Sequence, residues 1–264
     1  MDTSALPEGS QFAAQLAGRA ARNPRWQADA PLPLHSEIFA PATQGAGAGA
    51  ALAFALGALR AEQGRSGDGE AASLEERHVL WVQDARVINL GGRPYRAGLP
   101  EMLRHRLIHV AARTPEDALF AMEEGLRCRD LAAVVGEVSG NPRALDFTAS
   151  RRLTLTAEKH GVPLLLVRLD AQAELSSARM RWRLESAPSS PPRWNVAAPG
   201  RPAWRAELFR ARAHPPGEWI LRDEPERLAA ERLPESGPET ASDASTPDHG
   251  DLVRGPGARS LAAL

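Results

Sequence analysis

Glycine recurs between Ala40 and Ala50, where a predicted strand gives way to a predicted helix. A phosphate-binding loop reads G-x-x-x-x-G-K-S/T: its backbone amides surround phosphate oxygens, the lysine neutralises them and the hydroxyl binds magnesium. No register of this segment supplies both glycines, and Lys159 is the only lysine in the chain. With Gly45 as the second glycine, Ala46 takes the lysine position and Gly47 the hydroxyl position. We therefore predict a degenerate nucleotide loop at Gly45, Gly47 and Gly49, with no catalytic residue and no cofactor.

The same segment allows an alternative reading as a dinucleotide site. Gly45, Gly47 and Ala50 match G-x-G-x-x-G/A, the fingerprint of dinucleotide-binding turns. The acidic residue expected about 20 residues later falls in the polar loop 66–70, whereas Asp84, which follows a predicted strand, lies much further along the chain. A nucleotide-dependent oxidoreductase built on residues 45–50 therefore stays open as an alternative.

A second candidate site lies in two overlapping segments rich in arginine and tryptophan, residues 179–212 and 194–219. Arginine supplies charge for phosphates and flat rings supply stacking surfaces for bases, but the same two residue types also anchor protein interfaces. A third interpretation is a partly exposed sheet with arginine outward and tryptophan inward. The candidate interaction surface comprises Trp194, Trp204, Arg205, Phe209, Arg210 and Trp219.

The histidines and the cysteine give little indication of a functional site. Among the seven histidines only His105 and His109 have a metal-like spacing, so we predict no metal site. Cys128, the only cysteine, is expected to be a packing residue near a helix end.

A single cysteine excludes a disulfide framework and fits a reducing compartment. No apolar run approaches the ~20 residues of a membrane span, and the N-terminus lacks the features of a secretory signal. We therefore expect a cytoplasmic protein. Its net charge of −1 argues against a chain that attracts nucleic acid over its whole surface.

The elements that would position these sites alternate between strand and helix. Apolar strands are predicted near residues 34–40, 78–83, 107–111, 131–135 and 162–167, with helices at 50–62, 114–127 and 144–160. Continuous apolar strands of this kind form parallel sheets covered by helices on both faces. Segments 179–185, 204–213 and 218–222 are predicted to be antiparallel strands. The fold class is therefore α/β, a mostly parallel sheet with a small antiparallel extension at its C-terminal side.

Three regions follow from this pattern. Residues 1–30 are an N-terminal helix and linker, in which Phe12, Leu16 and Ala20 share one helix face. Residues 31–222 are the core with its extension. Residues 223–264 are rich in acidic, Pro and Ser residues and are predicted to be a mostly disordered tail.

In their order and spacing, several segments resemble the core of the RecA recombinase. More narrowly, they resemble the ImuA family of RecA-like mutasome proteins, also described as SulA-like. These segments span about Leu34 to Leu221 and read LHSEIFAP, VLWVQDAR, LIHVAARTPEDALFAMEEGLR, LAAVVGEV, FTASRRLTLTAEKHGVPLLLVR, SSARMRWRLES and PAWRAELFRARAHPPGEWIL. The resemblance implies a RecA-like fold.

The positions that hydrolyse ATP in RecA differ here. Arg86 follows Asp84 and Ala85 where RecA has the glutamate that activates water, and Gly136 and Glu137 follow the strand that should end in the metal-side aspartate. Arg168 stands where RecA has a sensor glutamine. Together with the missing lysine, these departures predict a scaffold without ATPase activity.

The resemblance implies a non-catalytic accessory role in SOS-induced, error-prone translesion synthesis. The implied partner is an ImuB-like homologue of Y-family polymerases, with an error-prone C-family polymerase and RecA as further partners and weak DNA contact as an addition. No membrane contact is expected. A SulA-like inhibitor of cell division stays open as a further alternative.

Overall fold

The computed structural model describes residues 24–63, 77–225 and 227–234, except for the side chains of residues 61–63. The predicted helix with Phe12, Leu16 and Ala20, the polar loop 66–70 and the tail beyond Pro234 lie outside the described residues. The helices are α1 (Ala46–Gln63), α2 (Ala85–Gly91), α3 (Glu101–Arg104), α4 (Pro115–Leu126) and α5 (Phe147–His160). The strands are β1 (His35–Ala40), β2 (His78–Asp84), β3 (Leu107–Ala112), β4 (Leu131–Ser139), β5 (Leu164–Leu169), β6 (Met180–Ser186), β7 (Ala203–Ala211), β8 (Gly217–Asp223) and β9 (Leu228–Arg232).

All nine described strands belong to one sheet, in the order β3-β2-β4-β5-β1-β6-β7-β8-β9. Strands β1 to β6 run parallel, and β6 also pairs with β7 in antiparallel fashion, so it joins the two halves of the sheet. Strands β7, β8 and β9 continue the antiparallel half. The predicted α/β class with an antiparallel extension is confirmed.

Two hydrophobic clusters lie on opposite faces of this sheet. One joins α1, α2 and α3 to the sheet and continues across β6, β7 and β8. The other packs α4 and α5 on the parallel strands. This arrangement explains why the parallel strands are apolar in sequence: β4 and β5 are buried along their whole length, as strands covered on both faces must be. None of the helices in the described part of the chain combines the length and apolar character needed to cross a bilayer.

Local sequence signals determine where two of the helices begin and end. Thr114 caps α4 because its hydroxyl accepts a hydrogen bond from the Asp117 amide at 3.1 Å, and Pro115 occupies the first turn. Helix α5 begins at Phe147, three residues later than predicted, because the Asp146 carboxylate accepts from the Ala149 amide at 2.7 Å. It ends at Gly161, whose φ of 74° is the left-handed conformation that glycine adopts readily.

Other parts of the fold also differ from the sequence prediction. Helix α1 begins at Ala46 rather than Ala50, so the loop after β1 is only five residues long. Trp26, assigned to a linker, is 4% exposed and packs in the core. Strand β9 lies in the segment predicted to begin the tail, where it pairs with β8.

Candidate functional site

The predicted nucleotide loop lies at the carboxyl end of β1, between β5 and β6. In open α/β sheets the carboxyl ends of the parallel strands are where ligands bind. Residues 41–45 connect β1 to α1, and Gly45 immediately precedes the helix. Gly45 is exposed and a side chain there would meet no atom within 4 Å. The loop therefore lies at the edge of the sheet where α/β folds bind ligands.

Gly47 and Gly49 lie inside α1, where they allow close packing. A Cβ atom on Gly47 would come within 2.7 Å of Val167 Cγ1 and 3.0 Å of Ala40 Cβ. A Cβ atom on Gly49 would come within 3.3 Å of the Trp204 ring. The position where a phosphate loop carries its magnesium-binding hydroxyl is thus occupied by neighbouring apolar side chains.

Hydrogen bonds to other parts of the chain hold the loop between β1 and α1 in place. The Asp170 carboxylate accepts a hydrogen bond from the Ala42 amide at 2.9 Å, and the Asp170 amide donates to the Ala40 carbonyl at 3.1 Å. Asp170 adopts a φ of 50°, unusual for a residue other than glycine. Gln44 accepts from the Ser186 amide at 2.7 Å. A carboxylate bonded to a loop amide repels a phosphate, because like charges at short range oppose each other. Sequence reasoning missed Asp170, which only the parallel pairing of β1 with β5 brings to the loop.

The acidic residues Asp84 on β2 and Glu137 on β4 have other partners. Asp84 is buried and caps α2 by accepting from the Val87 amide at 2.8 Å, whereas Arg86 is exposed. Glu137 is buried and accepts hydrogen bonds from the indole of Trp81 and, at 3.0 Å, from the amide of Gln83. Burial raises the pKa of Glu137 against the effect of these two bonds, so the carboxyl is less readily ionised than a free one.

The sheet order also weighs against the dinucleotide alternative. In a dinucleotide-binding fold the ribose-binding acid follows the strand adjacent to the glycine loop. Here β5 and β4 separate β1 from β2, which places Asp84 three strand spacings away, roughly 14 Å. Asp84 therefore lies too far across the sheet to bind the ribose of a nucleotide held at Gly45.

Arg168, at the predicted sensor position, belongs to a buried ionic cluster with Glu37 and Arg181. The Glu37 carboxylate lies 2.7 Å from Arg181 Nε and 3.8 Å from Arg168 Nη1, and it accepts from the Ser176 hydroxyl at 2.9 Å. Both guanidinium groups lie near the Phe39 ring, at 5.2 and 5.7 Å from its centroid. Burial lowers the pKa of Arg168, and Glu37 acts in the opposite direction. The cluster joins β1, β5 and β6 and leaves Arg168 committed to protein contacts.

The remaining candidates for metal or thiol chemistry are dispersed. Within the described part of the chain, no three His, Cys, Asp or Glu side chains converge closely enough to hold a metal ion. His109 contacts the Gln83 amide oxygen at 2.9 Å, and burial lowers its pKa, with Arg93 and Arg96 acting in the same direction. Cys128 is exposed just beyond α4, so the prediction that it is a packing residue was wrong.

The tryptophans of the predicted interaction surface divide between core and solvent. Trp204 and Trp219 are 4% and 3% exposed, so they belong to the core. Trp182 contacts Trp26 and Trp219 edge-on, with ring centroids 4.8 and 5.7 Å apart. Trp194, in contrast, is 80% exposed in the connection between β6 and β7.

The other predicted surface residues lie on the opposite side of β7. Arg205 is exposed and bound to Glu218 at 2.7 Å, and Arg210 is exposed. Phe209 is half-buried, with the Arg183 and Arg181 guanidinium groups 4.3 and 5.3 Å from its ring centroid. This alternation along β7, polar outward and tryptophan inward, is the sheet pattern considered as the third interpretation above. Trp194, Arg205, Phe209 and Arg210 remain as candidates for surface contacts.

The cationic side chains on this face of β6, β7 and β8 are largely paired across the strands. Arg183 binds Glu207 and Arg222 binds Glu231, both at 2.9 Å. Exposed pairs of this kind add little stability, typically below ~1 kcal/mol, but they cancel much of the charge that a nucleic acid would need. The extension is therefore less basic than its count of arginines predicts.

Part of this chain is similar in sequence to a curated protein. No family model matches the chain. A stretch of 127 residues, 44% of this chain, is 38% identical to Protein ImuA of Caulobacter vibrioides in two strains, NA1000 / CB15N and ATCC 19089. The match covers 50% of those proteins, so the chain spans about half the length of the curated relatives it matches. The chain is thus a distant, partial homologue of Protein ImuA, as its sequence segments had indicated.

Proposed function

We propose that this protein is a non-catalytic accessory factor in SOS-induced, error-prone translesion synthesis. The observation that carries the proposal is the 38% identity to Protein ImuA over 127 residues. The nucleotide loop supports it, because Val167 fills the space beside Gly47 and the Asp170 carboxylate holds a loop amide. A protein with this core but without a phosphate-binding lysine can still act through contacts on its surface. We expect it to act as a scaffold for other proteins.

The partner that the family resemblance implies is an ImuB-like homologue of Y-family polymerases, with an error-prone C-family polymerase and RecA as further partners. The residues proposed to contact a partner are Trp194, in the connection between β6 and β7, and Arg205, Phe209 and Arg210 on β7. Trp204 and Trp219 are proposed to support that surface from the core, since both are buried.

Deleting the gene in its own host tests the function. We expect fewer mutations after ultraviolet damage in the deletion strain, and recovery when the wild-type gene is restored. A variant with Gly45→Ala, which alters the loop without a steric conflict, should restore mutagenesis fully because no nucleotide chemistry is required. Unchanged mutation frequency in the deletion strain would contradict the proposal, and filamentous cells on overproduction would favour the division-inhibitor alternative.

Purified proteins provide a second test. The wild-type protein should capture the ImuB-like protein encoded by the same host, and it should release no phosphate from ATP above a buffer control. Alanine at Arg205, Phe209 or Arg210 should weaken capture without lowering the melting temperature by more than a few degrees. Turnover of ATP that is lost on mutating residues 45–49 would overturn the non-catalytic assignment.

A further inference from the structure

A groove of about 540 Å³ lies between α5 and the end of β7. We call it the α5 groove. Its lining includes Phe147, Arg151, Leu155, Leu175, Arg179 and Arg210. Its origin is architectural. On this face α4 and α5 cover the parallel strands, whereas the described residues place no helix over β6 and β7. The sheet continues where the helical layer stops, and the step between them forms the groove.

Large apolar side chains line this groove while exposed to solvent. Leu155 and Phe147 are 52% and 40% exposed and lie two turns apart on α5, with Arg151 between them. Leu175, on the connection between β5 and β6, is 66% exposed. Side chains four residues apart on a helix stack along one face, so Phe147, Arg151 and Leu155 form one continuous strip. Exposed apolar side chains that adjoin one another in a concave site are typical of binding surfaces.

The charge of the α5 groove is positive. Arg151, Arg179, Arg210 and Arg212 line it. Arg179 is paired with Glu158, but neither Arg151 nor Arg210 forms an ion pair with any described residue. This differs from Arg183, Arg205 and Arg222 on the neighbouring strands, each of which is paired. The cations without an acidic partner thus stand beside the exposed leucines, where an anionic ligand with apolar side chains would contact both.

The floor of the α5 groove is held in place by hydrogen bonds. The Ser150 hydroxyl contacts the Ser176 hydroxyl at 2.9 Å and accepts from the Ser177 amide at 3.1 Å. Thr154 contacts both Ser177 and His35, the latter at 2.7 Å. A fixed floor favours binding, because little conformational freedom remains to be lost when a ligand is bound.

We propose that the α5 groove binds an acidic segment of a partner protein through that segment's bulky apolar side chains. Carboxylates of the segment pair with Arg151 and Arg210, and its apolar side chains contact Leu155, Leu175 and Phe147. Two of the three exposed apolar side chains, Leu155 and Leu175, offer no flat ring on which a base can stack, which favours protein over single-stranded nucleic acid. The inference rests on the proposed scaffold role and assigns to it a second surface, which shares Arg210 with the β7 residues.

Fluorescence anisotropy with the full chain tests the proposal. The probe is a fluorescein-labelled synthetic peptide in which leucine and phenylalanine alternate with aspartate and glutamate. Leu155→Ser and Arg151→Ser should each weaken binding about tenfold. The matched controls are Leu90→Ser, with a leucine of 49% exposure elsewhere, and Arg86→Ser, another exposed arginine. Both controls should bind the probe like the wild type.

Two further probes complete the test. A peptide with serine in place of leucine and phenylalanine, and a labelled oligothymidine, should bind at least about tenfold more weakly than the first peptide. Absence of peptide binding, equal loss in the control variants, or tighter binding of oligothymidine that depends on Arg151 would each overturn the proposal.

Capture of the ImuB-like partner separates this inference from the proposed function. If the wild type and Leu155→Ser capture the ImuB-like partner equally well, the α5 groove does not bind that partner, and the scaffold role stands. If the wild type captures no partner but binds the acidic peptide through Leu155 and Arg151, the scaffold role with that partner fails and the groove assignment stands.

Discussion

Replacing Gly47 by alanine should destabilise the protein, although the same substitution at Gly57 in α1 should stabilise it. The added Cβ atom would lie 2.7 Å from Val167 Cγ1 and 3.0 Å from Ala40 Cβ, so the helix or the strand must shift. Such overpacking in a buried site costs about 1–3 kcal/mol. Alanine also favours the helix over glycine by up to ~1 kcal/mol. The net expectation is a loss of roughly 1–2 kcal/mol, or about 2–8 °C in melting temperature for a domain of this size.

Gly57→Ala is the matched control, because Gly57 lies in the same helix and an added Cβ atom there would meet Leu228 at an ordinary 3.5 Å. It should stabilise the protein by about 0.5–1 kcal/mol through helix propensity alone. Both variants can be compared by urea unfolding and by thermal melts. If Gly47→Ala proves as stabilising as Gly57→Ala, Gly47 is not required for close packing of α1 on β1 and β5.

The same geometry predicts the effect of restoring the phosphate-loop residues. The double change Ala46→Lys and Gly47→Thr supplies the lysine and hydroxyl, yet Val167 still occupies the space and Asp170 still holds the Ala42 amide. We expect no phosphate release from ATP and no saturable binding of a fluorescent ATP analogue. Turnover in this variant would show that only side chains, and not the shape of the loop, separate this chain from an ATPase.

The remaining predictions concern buried groups outside the loop. Burial lowers the pKa of His35 to about 4, so protonation favours unfolding: stability is complete above the unfolded-state pKa of about 6.5 and falls as the pH drops towards 4. Urea unfolding should therefore show about 2 kcal/mol lost between pH ~7.5 and ~5 on account of His35, and a smaller loss in His35→Gln, whereas equal losses would contradict the assignment. Glu37→Gln leaves two arginines buried without their carboxylate and should cost about 3–5 kcal/mol, whereas Glu207→Gln at an exposed pair should cost at most ~1 kcal/mol, and similar costs would refute the difference. Trp26→Ala should cost about 3–5 kcal/mol in the same assay, because its ring packs on Phe54, Trp182 and Trp219, and a neutral change would show that residue 26 is not part of the core.

Local chemistry made several features predictable from the sequence. The apolar runs of β4 and β5 predict buried parallel strands because a strand covered on both faces has no polar side. Thr114 and Pro115 predict the start of α4 because a hydroxyl followed by proline satisfies the first free amides. The missing lysine and the order of motifs predicted a degenerate RecA-like core, which stays a prediction. The resemblance to the ImuA family is confirmed as partial homology to Protein ImuA.

The sequence identified the arginine and tryptophan residues of segment 179–219, but it did not show which of them lie on the surface. Arginine and tryptophan alternate along β6 and β7. Alternation in a strand shows only that the two residue types lie on opposite faces of the sheet, not which face is buried. The pairing of β1 with β6 places the tryptophans over α1, and Trp26 closes the cluster from a segment that sequence reasoning left as a linker. Burial of this kind depends on neighbours distant in sequence, so it has no local signature.

The sequence by itself determined that the one lysine lies far from the glycines, and its resemblance to RecA predicts Arg86 in place of an acid and Arg168 in place of a sensor amide. Tertiary structure decided what fills the vacated positions. Val167 packs against Gly47, Asp170 binds the Ala42 amide, and Glu37 pairs with Arg181 across 144 residues of chain. These contacts follow from strand order and register, which set the distance between residues remote in sequence, whereas composition and spacing specify only the residues that each element presents.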